Sequence, residues 1–194
     1  ISGGHTQFVL VKDSETMDLI GGTLDDAAGE AFDKGGKLMG LDYPAGRIID
    51  ELSKKGDRTK FDFPIGLKSS GDANLSYSGV KTSLRFFIEK YENWEEEREN
   101  ILPDVCASYQ ECIVGQIKLK MKYALKKAPK GIPIVVGGGV ACNSRLRQVL
   151  TEKFESVFFV EPGYCTDNGA MIANFALRNF KTAWEFPRCL DLDA

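Results

Sequence analysis

Three turns in this sequence combine glycine with residues able to hold a phosphate, a nucleotide or a metal: Ser2-Gly3-Gly4, Gly137-Gly138-Gly139 and Asp167-Asn168-Gly169. Glycine lets backbone N–H groups crowd around a ligand, and amides that lead into a helix form an anion site. In residues 161–177 (EPGYCTDNGAMIANFAL), a Pro-Gly turn precedes Asp167 and Asn168, which stand at the start of an apolar run expected to be a buried helix. Either side chain can cap that helix by accepting an N–H that its first turn leaves without a partner. A carboxylate there can equally hold a metal or face a phosphate. Each turn alone is weak evidence, because an ordinary tight turn uses the same glycines.

The spacing narrows the chemistry. Gly137-x-Gly139 follows a predicted strand and opens a predicted helix, as in a dinucleotide fold, but Cys142 stands where the third glycine belongs. No Gly-Lys-Ser/Thr ending of a P-loop is present, so a nucleotide site assembled from several turns fits better than either motif. The candidate acids are Asp25, Asp26, Glu30, Asp33 and Asp50, with Asp26, Glu30 and Asp33 spaced to share one helix face; the alternative is a solvated face. The single histidine, His5, cannot build a Ser/His/Asp set. His, Cys and carboxylate residues do not cluster at ligand spacing, so a closed metal site within these residues is not expected.

The elements that must position these groups follow from periodicity. QFVLVK and MDLI, separated by the polar Asp-Ser-Glu, predict a hairpin over residues 7–20. Residues 22–40 carry apolar positions at helical spacing with acids early and lysines late, as the helix dipole prefers. Gly35 and Gly36 inside that helix cost about 1 kcal/mol each relative to alanine, so the helix is either weak there or closely approached. Pro44 opens a second helix that ends near Gly56, and residues 57–76 form a long surface connection of the kind that is often functional or mobile. A third helix begins at YSGVKT, the run Glu95–Glu97 reads as a solvated linker, and Pro103 is expected to start the longest helix, to about Lys127. Its buried stripe is Val105, Tyr109, Ile113, Ile117, Met121 and Ala124, and its exposed face carries Lys118, Lys120, Lys122, Lys126 and Lys127, either solvated or in contact with phosphate. The last third alternates strand, turn and helix (IPIVV, GGGVACN, SRLRQVLTEKF, VFFV), which argues for an α/β fold with parallel pairing.

Composition sets the outer limits. The 194 residues carry 25 basic and 28 acidic side chains, a net charge of −3, so a polyanion would have to be met by a local patch. The five cysteines (Cys106, Cys112, Cys142, Cys165, Cys189) are odd in number and never spaced as CxxC, which fits reduced thiols in a cytoplasmic protein. No stretch approaches the roughly 20 apolar residues of a membrane span. Ile1 reads as the end of a strand, so the sequence is taken as a piece of a longer chain.

In order, SGGHTQ, DDAAGEAFDK, GLDYP, YSGVKT, GGGVACNSRLR and CTDNGAMIA resemble the TsaD family, the tRNA adenosine threonylcarbamoyltransferases, nearly end to end. The resemblance implies the actin-like ATPase fold, with residues 1–194 as the C-terminal portion: one lobe plus part of the other. It implies transfer of the threonylcarbamoyl group from threonylcarbamoyl-AMP to N6 of adenosine 37 in tRNAs reading ANN codons, with release of AMP. Ser2, Gly3, Gly4, Asp33, Gly46, Asp50 and Asn143 match the family's substrate-binding positions. Asp167 matches a metal ligand, for iron or zinc, that would cap its helix and share the cation with two histidines upstream of Ile1; the fragment alone is therefore expected to be inactive. The implied partners are tRNA, a paralogous subunit and a small ATPase. Ala45 stands where the family usually has glycine. Two other readings stay open: a metalloendopeptidase, the family's older label, and a non-catalytic scaffolding paralogue.

Overall fold

The computed structural model describes residues 1–182; Cys189 lies outside the described residues. The first two strands, β1 (Gln7–Val11) and β2 (Met17–Gly22), pair antiparallel with a bulge between Phe8 and Val9, as the hairpin pattern predicts. Asp13 closes the turn by accepting the N–H groups of Glu15 and Thr16, each at 2.8 Å.

Helix α1 (Ala28–Leu38) starts where the N–H of Ala28 finds Thr6 Oγ1 at 2.9 Å. It stops at Gly40, whose φ of +73° permits a left-handed cap in which Gly40 N–H reaches Lys37 O and Leu41 N–H reaches Gly36 O. Gly35 and Gly36 are explained by close approach: the ring of Tyr109 lies over Gly35 and the Cβ of Ala45 over Gly36. Pro44 precedes α2 (Ala45–Ser53), and α3 spans Ser78–Lys90. Asp25 and Asp26 lie ahead of α1. Asp25 accepts from the hydroxyls and N–H groups that open α3 (Ser76, Tyr77, Ser78), while Asp26 accepts Lys34 Nζ and Lys81 Nζ at 2.7 Å each. The expected acidic face of Asp26, Glu30 and Asp33 is therefore split: Lys34 neutralises the first two, and Asp33 turns to accept the N–H of Ala45 at 2.8 Å.

The backbone of the core is α4, 33 residues from Trp94 to Lys126. Its start corrects the sequence reading twice. Glu95–Glu97 form its first turn, where carboxylates meet the positive end of the helix, rather than a linker. Pro103 lies inside the helix; the roughly 3 kcal/mol it costs in a helix interior is offset upstream by burial of Trp94, Ile101 and Leu102. The predicted stripe from Val105 to Ala124 is buried throughout. Lys120 departs from the expected exposed face: it is fully buried, and its ammonium donates to Leu67 O at 2.7 Å, Ser70 Oγ at 2.6 Å and Asp72 O at 3.2 Å. Residues 57–76 contain no helix or strand, bury Phe63, Ala73 and Leu75, and are tied to α4 by Lys120 and by Gln116, which bonds both N–H and C=O of Ser76.

Strand β3 (Ile134–Val136), helix α5 (Ser144–Lys153) and strand β4 (Val157–Phe159) make one right-sized crossover, with β3 and β4 parallel, as predicted. The last helix, α6 (Gly169–Arg178), has no buried residue, contrary to the buried helix expected from its apolar run; within the described residues no other element covers Met171, Ile172 or Phe175. Among the described residues no helix is long and apolar enough to cross a membrane.

Candidate functional site

The three glycine turns meet in one cleft, and each is placed by a specific close contact. The first, residues 2–5, is closed by Ser2 N–H to His5 O at 2.7 Å and His5 N–H to Ser2 Oγ at 3.0 Å. It lies on the start of α1, where Gly29 N–H donates to Ser2 O at 3.1 Å; a Cβ on Gly29 would sit 2.7 Å from that oxygen, so only glycine fits. The second turn follows β3. Its Gly138, at φ +90°, passes directly over the carbonyl of Ile1, which in turn accepts Val140 N–H at 3.1 Å. The third turn follows β4 and is fastened by Arg147, whose guanidinium donates to Ala141 O at 2.7 Å and Val160 O at 3.0 Å. A single side chain thus ties the second turn to the strand that delivers the third.

Two cavities open between these turns. One, about 800 Å³, is lined by Ser2, Gly3, Gly4, His5 and Asp167 together with Gly137–Gly139. The other, about 520 Å³, is lined by Asp33, Gly46, Asp50 and Asn143. Gly3, Gly139 and Thr166 line both, so the two are halves of one cleft. All eight residues singled out from the sequence face it.

Their chemistry differs. The N–H groups of Gly3, Gly4 and Gly138, residues that line the cleft, donate to no group among the described residues. Asp33 keeps one carboxylate oxygen beyond its bond to Ala45. Asp50 spends both oxygens on Ser144, accepting its N–H at 3.0 Å and its hydroxyl at 2.8 Å. Asn143 caps α5 by accepting Leu146 N–H at 2.9 Å.

Asp167 is exposed and makes no hydrogen bond or ion pair among the described residues. Contrary to the expectation from the sequence, it does not cap α6. That role belongs to Asn168, whose Oδ1 accepts Met171 N–H at 3.1 Å while its amide donates to Thr166 O at 2.9 Å. Asparagine wins the position because its carboxamide both caps the helix and bonds back to the turn, whereas a carboxylate can only accept. The Asp167 carboxylate is left free, which suits one ligand of a cation; no group of three potential ligand residues occurs among the described residues.

Sequence reasoning missed the groups behind the cleft. Gln110, buried on α4, accepts Asn143 Nδ2–H at 2.6 Å, and Glu111 beside it receives Arg145 in two bonds of 2.7 and 3.0 Å. Burial pushes the Glu111 carboxyl up, but Arg145 outweighs it and holds the group below the ordinary carboxylate value. The available signal was two adjacent polar residues following the buried Tyr109.

The sequence model of the TsaD family, described as tRNA N6-adenosine threonylcarbamoyltransferase, matches residues 1–174. A protein of that name from Thermotoga neapolitana is 40% identical over 197 residues, covering 100% of this chain and 58% of its own length. The protein of the same name from Thermosipho africanus is 42% identical over 185 residues, covering 93% and 54%, respectively. One from Corynebacterium diphtheriae is 42% identical over 187 residues, covering 91% and 53%. The chain thus spans a little over half the length of the curated relatives it matches.

Proposed function

Because the chain belongs to the TsaD family of tRNA N6-adenosine threonylcarbamoyltransferases, we propose that it forms the acyl-adenylate-binding part of such an enzyme, in an actin-like ATPase fold. The protein transfers the threonylcarbamoyl group from threonylcarbamoyl-AMP to N6 of adenosine 37 in tRNAs reading ANN codons. The observation that carries this reading is the single cleft onto which Ser2, Gly3, Gly4, Asp33, Gly46, Asp50, Asn143 and Asp167 all open.

The geometry supports a division of labour. The free N–H groups of Gly3, Gly4 and Gly138 are fixed donors for the phosphate as negative charge develops on it. The second oxygen of Asp33 is an acceptor for a ribose hydroxyl. The adenosine amine attacks the carbamoyl carbon, the bond to the phosphate oxygen breaks, AMP departs and the amine gives up a proton. Positioning accounts for much of the rate, since both reactants are held against a rigid wall of turns. Asp167 would hold a divalent cation, iron or zinc, with two histidines from outside these residues; when bound, that cation supplies Lewis-acid polarisation of the carbonyl. The partners in this reading are tRNA, a paralogous subunit and a small ATPase, in the cytoplasm.

The test is to incubate the full-length protein and its partners with tRNA and threonylcarbamoyl-AMP, and separately with a glycoprotein. Modified adenosine without peptide cleavage is expected, and residues 1–194 alone should give none. Peptide cleavage without modified adenosine would overturn the proposal in favour of the endopeptidase.

A further inference from the structure

The three residues at the start of α5 are each gripped by a different partner. Asn143 donates to Gln110 on α4, Ser144 is held by Asp50 on α2, and Arg145 is held by Glu111 on α4. The second glycine turn is the segment immediately before them, so these grips set how that turn stands against α1 and α2 across the cleft. Asn143 is the member of the three that lines the cleft itself.

A carboxamide has one acceptor oxygen and two N–H donors. In Asn143 the oxygen is taken by Leu146 N–H at 2.9 Å and one donor by Gln110 Oε1 at 2.6 Å. A flipped amide would set Nδ2 against the Leu146 N–H, donor against donor, in a site where Asn143 is 7% and Gln110 4% exposed. Water cannot readily relieve such a mismatch, and the penalty for an unmatched buried polar group is larger than the gain from an ordinary hydrogen bond. The flip is thereby excluded, and Asn143 keeps one uncommitted N–H donor, while its oxygen already serves the Leu146 N–H.

We propose that Gln110, which does not line the cleft cavity, is a positioning residue: the Leu146 N–H sets which way round the Asn143 amide stands, and Gln110 holds that side chain in place so that its remaining N–H donates to an acceptor atom of the bound adenylate. The inference rests on the adenylate-binding reading above. Gln110 acts through Asn143 alone, so its contribution to binding exists only while Asn143 is present.

The test measures AMP affinity calorimetrically with the full-length protein and the variants Gln110→Leu, Gln110→Glu and Asn143→Ala, with melting curves as a control for folding. Gln110→Leu, which keeps the volume and removes the acceptor, should weaken AMP binding on the order of tenfold. Gln110→Glu keeps an acceptor oxygen and should bind within about threefold of the unaltered protein. Adding Gln110→Leu to Asn143→Ala should change affinity by less than twofold, a non-additivity that a merely structural role would not produce. If Gln110→Leu does not fold, Gln110→Asn, which withdraws the acceptor by one methylene, takes its place with the same expectation. Unaltered AMP affinity in the folded Gln110 variant, or full additivity with Asn143→Ala, would overturn the inference. Absence of AMP binding by the unaltered protein would instead refute the adenylate reading.

Discussion

Replacing Gly35 by alanine separates helix propensity from packing, because the two predict opposite signs. In the interior of α1, alanine should return about 1 kcal/mol of stability relative to glycine. The structure opposes it: a Cβ at Gly35 would lie 2.5 Å from Tyr109 Cε1, 2.6 Å from Cζ and 2.7 Å from the hydroxyl oxygen. Carbon atoms pack at about 3.5–4.0 Å, so the ring must retreat by about 1 Å. It has nowhere to go, since Tyr109 is fully buried, packs edge-on against Phe63, and its hydroxyl donates to Ala31 O at 2.8 Å. Overpacking typically costs about 1–3 kcal/mol, and stretching the hydroxyl off its carbonyl inside the core adds about 1–3 kcal/mol. After the propensity gain, the expected net loss is about 3 kcal/mol. Urea unfolding of the full-length protein should show this as a lower midpoint at unchanged slope. Gly115→Ala in α4 is the control, since its Cβ would meet only the mobile Cδ1 of Ile65 at 3.3 Å and should leave stability within about 0.5 kcal/mol or raise it. A Gly35→Ala protein as stable as the parent would refute the claim that Tyr109 dictates the glycine.

Three further outcomes are expected. Asp167→Ala should abolish metal retention by the full-length protein while changing stability by no more than about 0.5 kcal/mol, whereas Asn168→Ala should lose about 1 kcal/mol as a cap; metal analysis and urea midpoints distinguish the two, and unchanged metal content in Asp167→Ala refutes the ligand. Lys120→Met should loosen residues 67–72 and cost about 2–3 kcal/mol in hydrogen bonds to a charged group, read as faster amide exchange in that segment. The Glu111 carboxyl is lowered in the folded protein, so the unfolded chain takes up the proton first. Its stabilisation is therefore complete above the ordinary value of 4.5 and is lost as pH falls through the folded value. The difference in urea midpoint between the parent and Glu111→Gln should be constant above about pH 5.5 and shrink below the ordinary carboxylate value; a difference that persists undiminished in acid would refute the Arg145 pairing.

Much of the architecture was legible because local pattern and packing agreed. Alternation around Asp13–Glu15 specified the hairpin, and the strand-turn-helix repeats after Ile132 specified the parallel pair. The glycine turns and acids of the cleft were legible from residue type, although their meeting is a property of long-range contacts such as Gly138 over Ile1. The failures have a common origin in tertiary compensation. Pro103 looks like a helix start only if nothing upstream is buried, and Trp94 is. Lys120 looks like one of a row of surface lysines until the segment from Leu67 to Asp72 supplies oxygens for it. Asp167 and Asn168 are equivalent caps by propensity, and the carbonyls of Tyr164 and Thr166 favour the amide. Gln110 was invisible because its partner is 33 positions away.

On a single turn of α4, Ser108 bonds the segment at Asp57 and Phe61, Tyr109 bonds α1, Gln110 holds Asn143 and Glu111 holds Arg145. Four consecutive side chains thus reach three regions of the molecule, the segment at 57–61, α1 and the start of α5, and their directions are set by the winding of one helix. Substitution at any one of them disturbs one attachment. Insertion or deletion of one residue just upstream would swing the whole set by about 100°, misdirecting all four at once. A change of length in this stretch is therefore costlier than the exchange of any one of the four side chains.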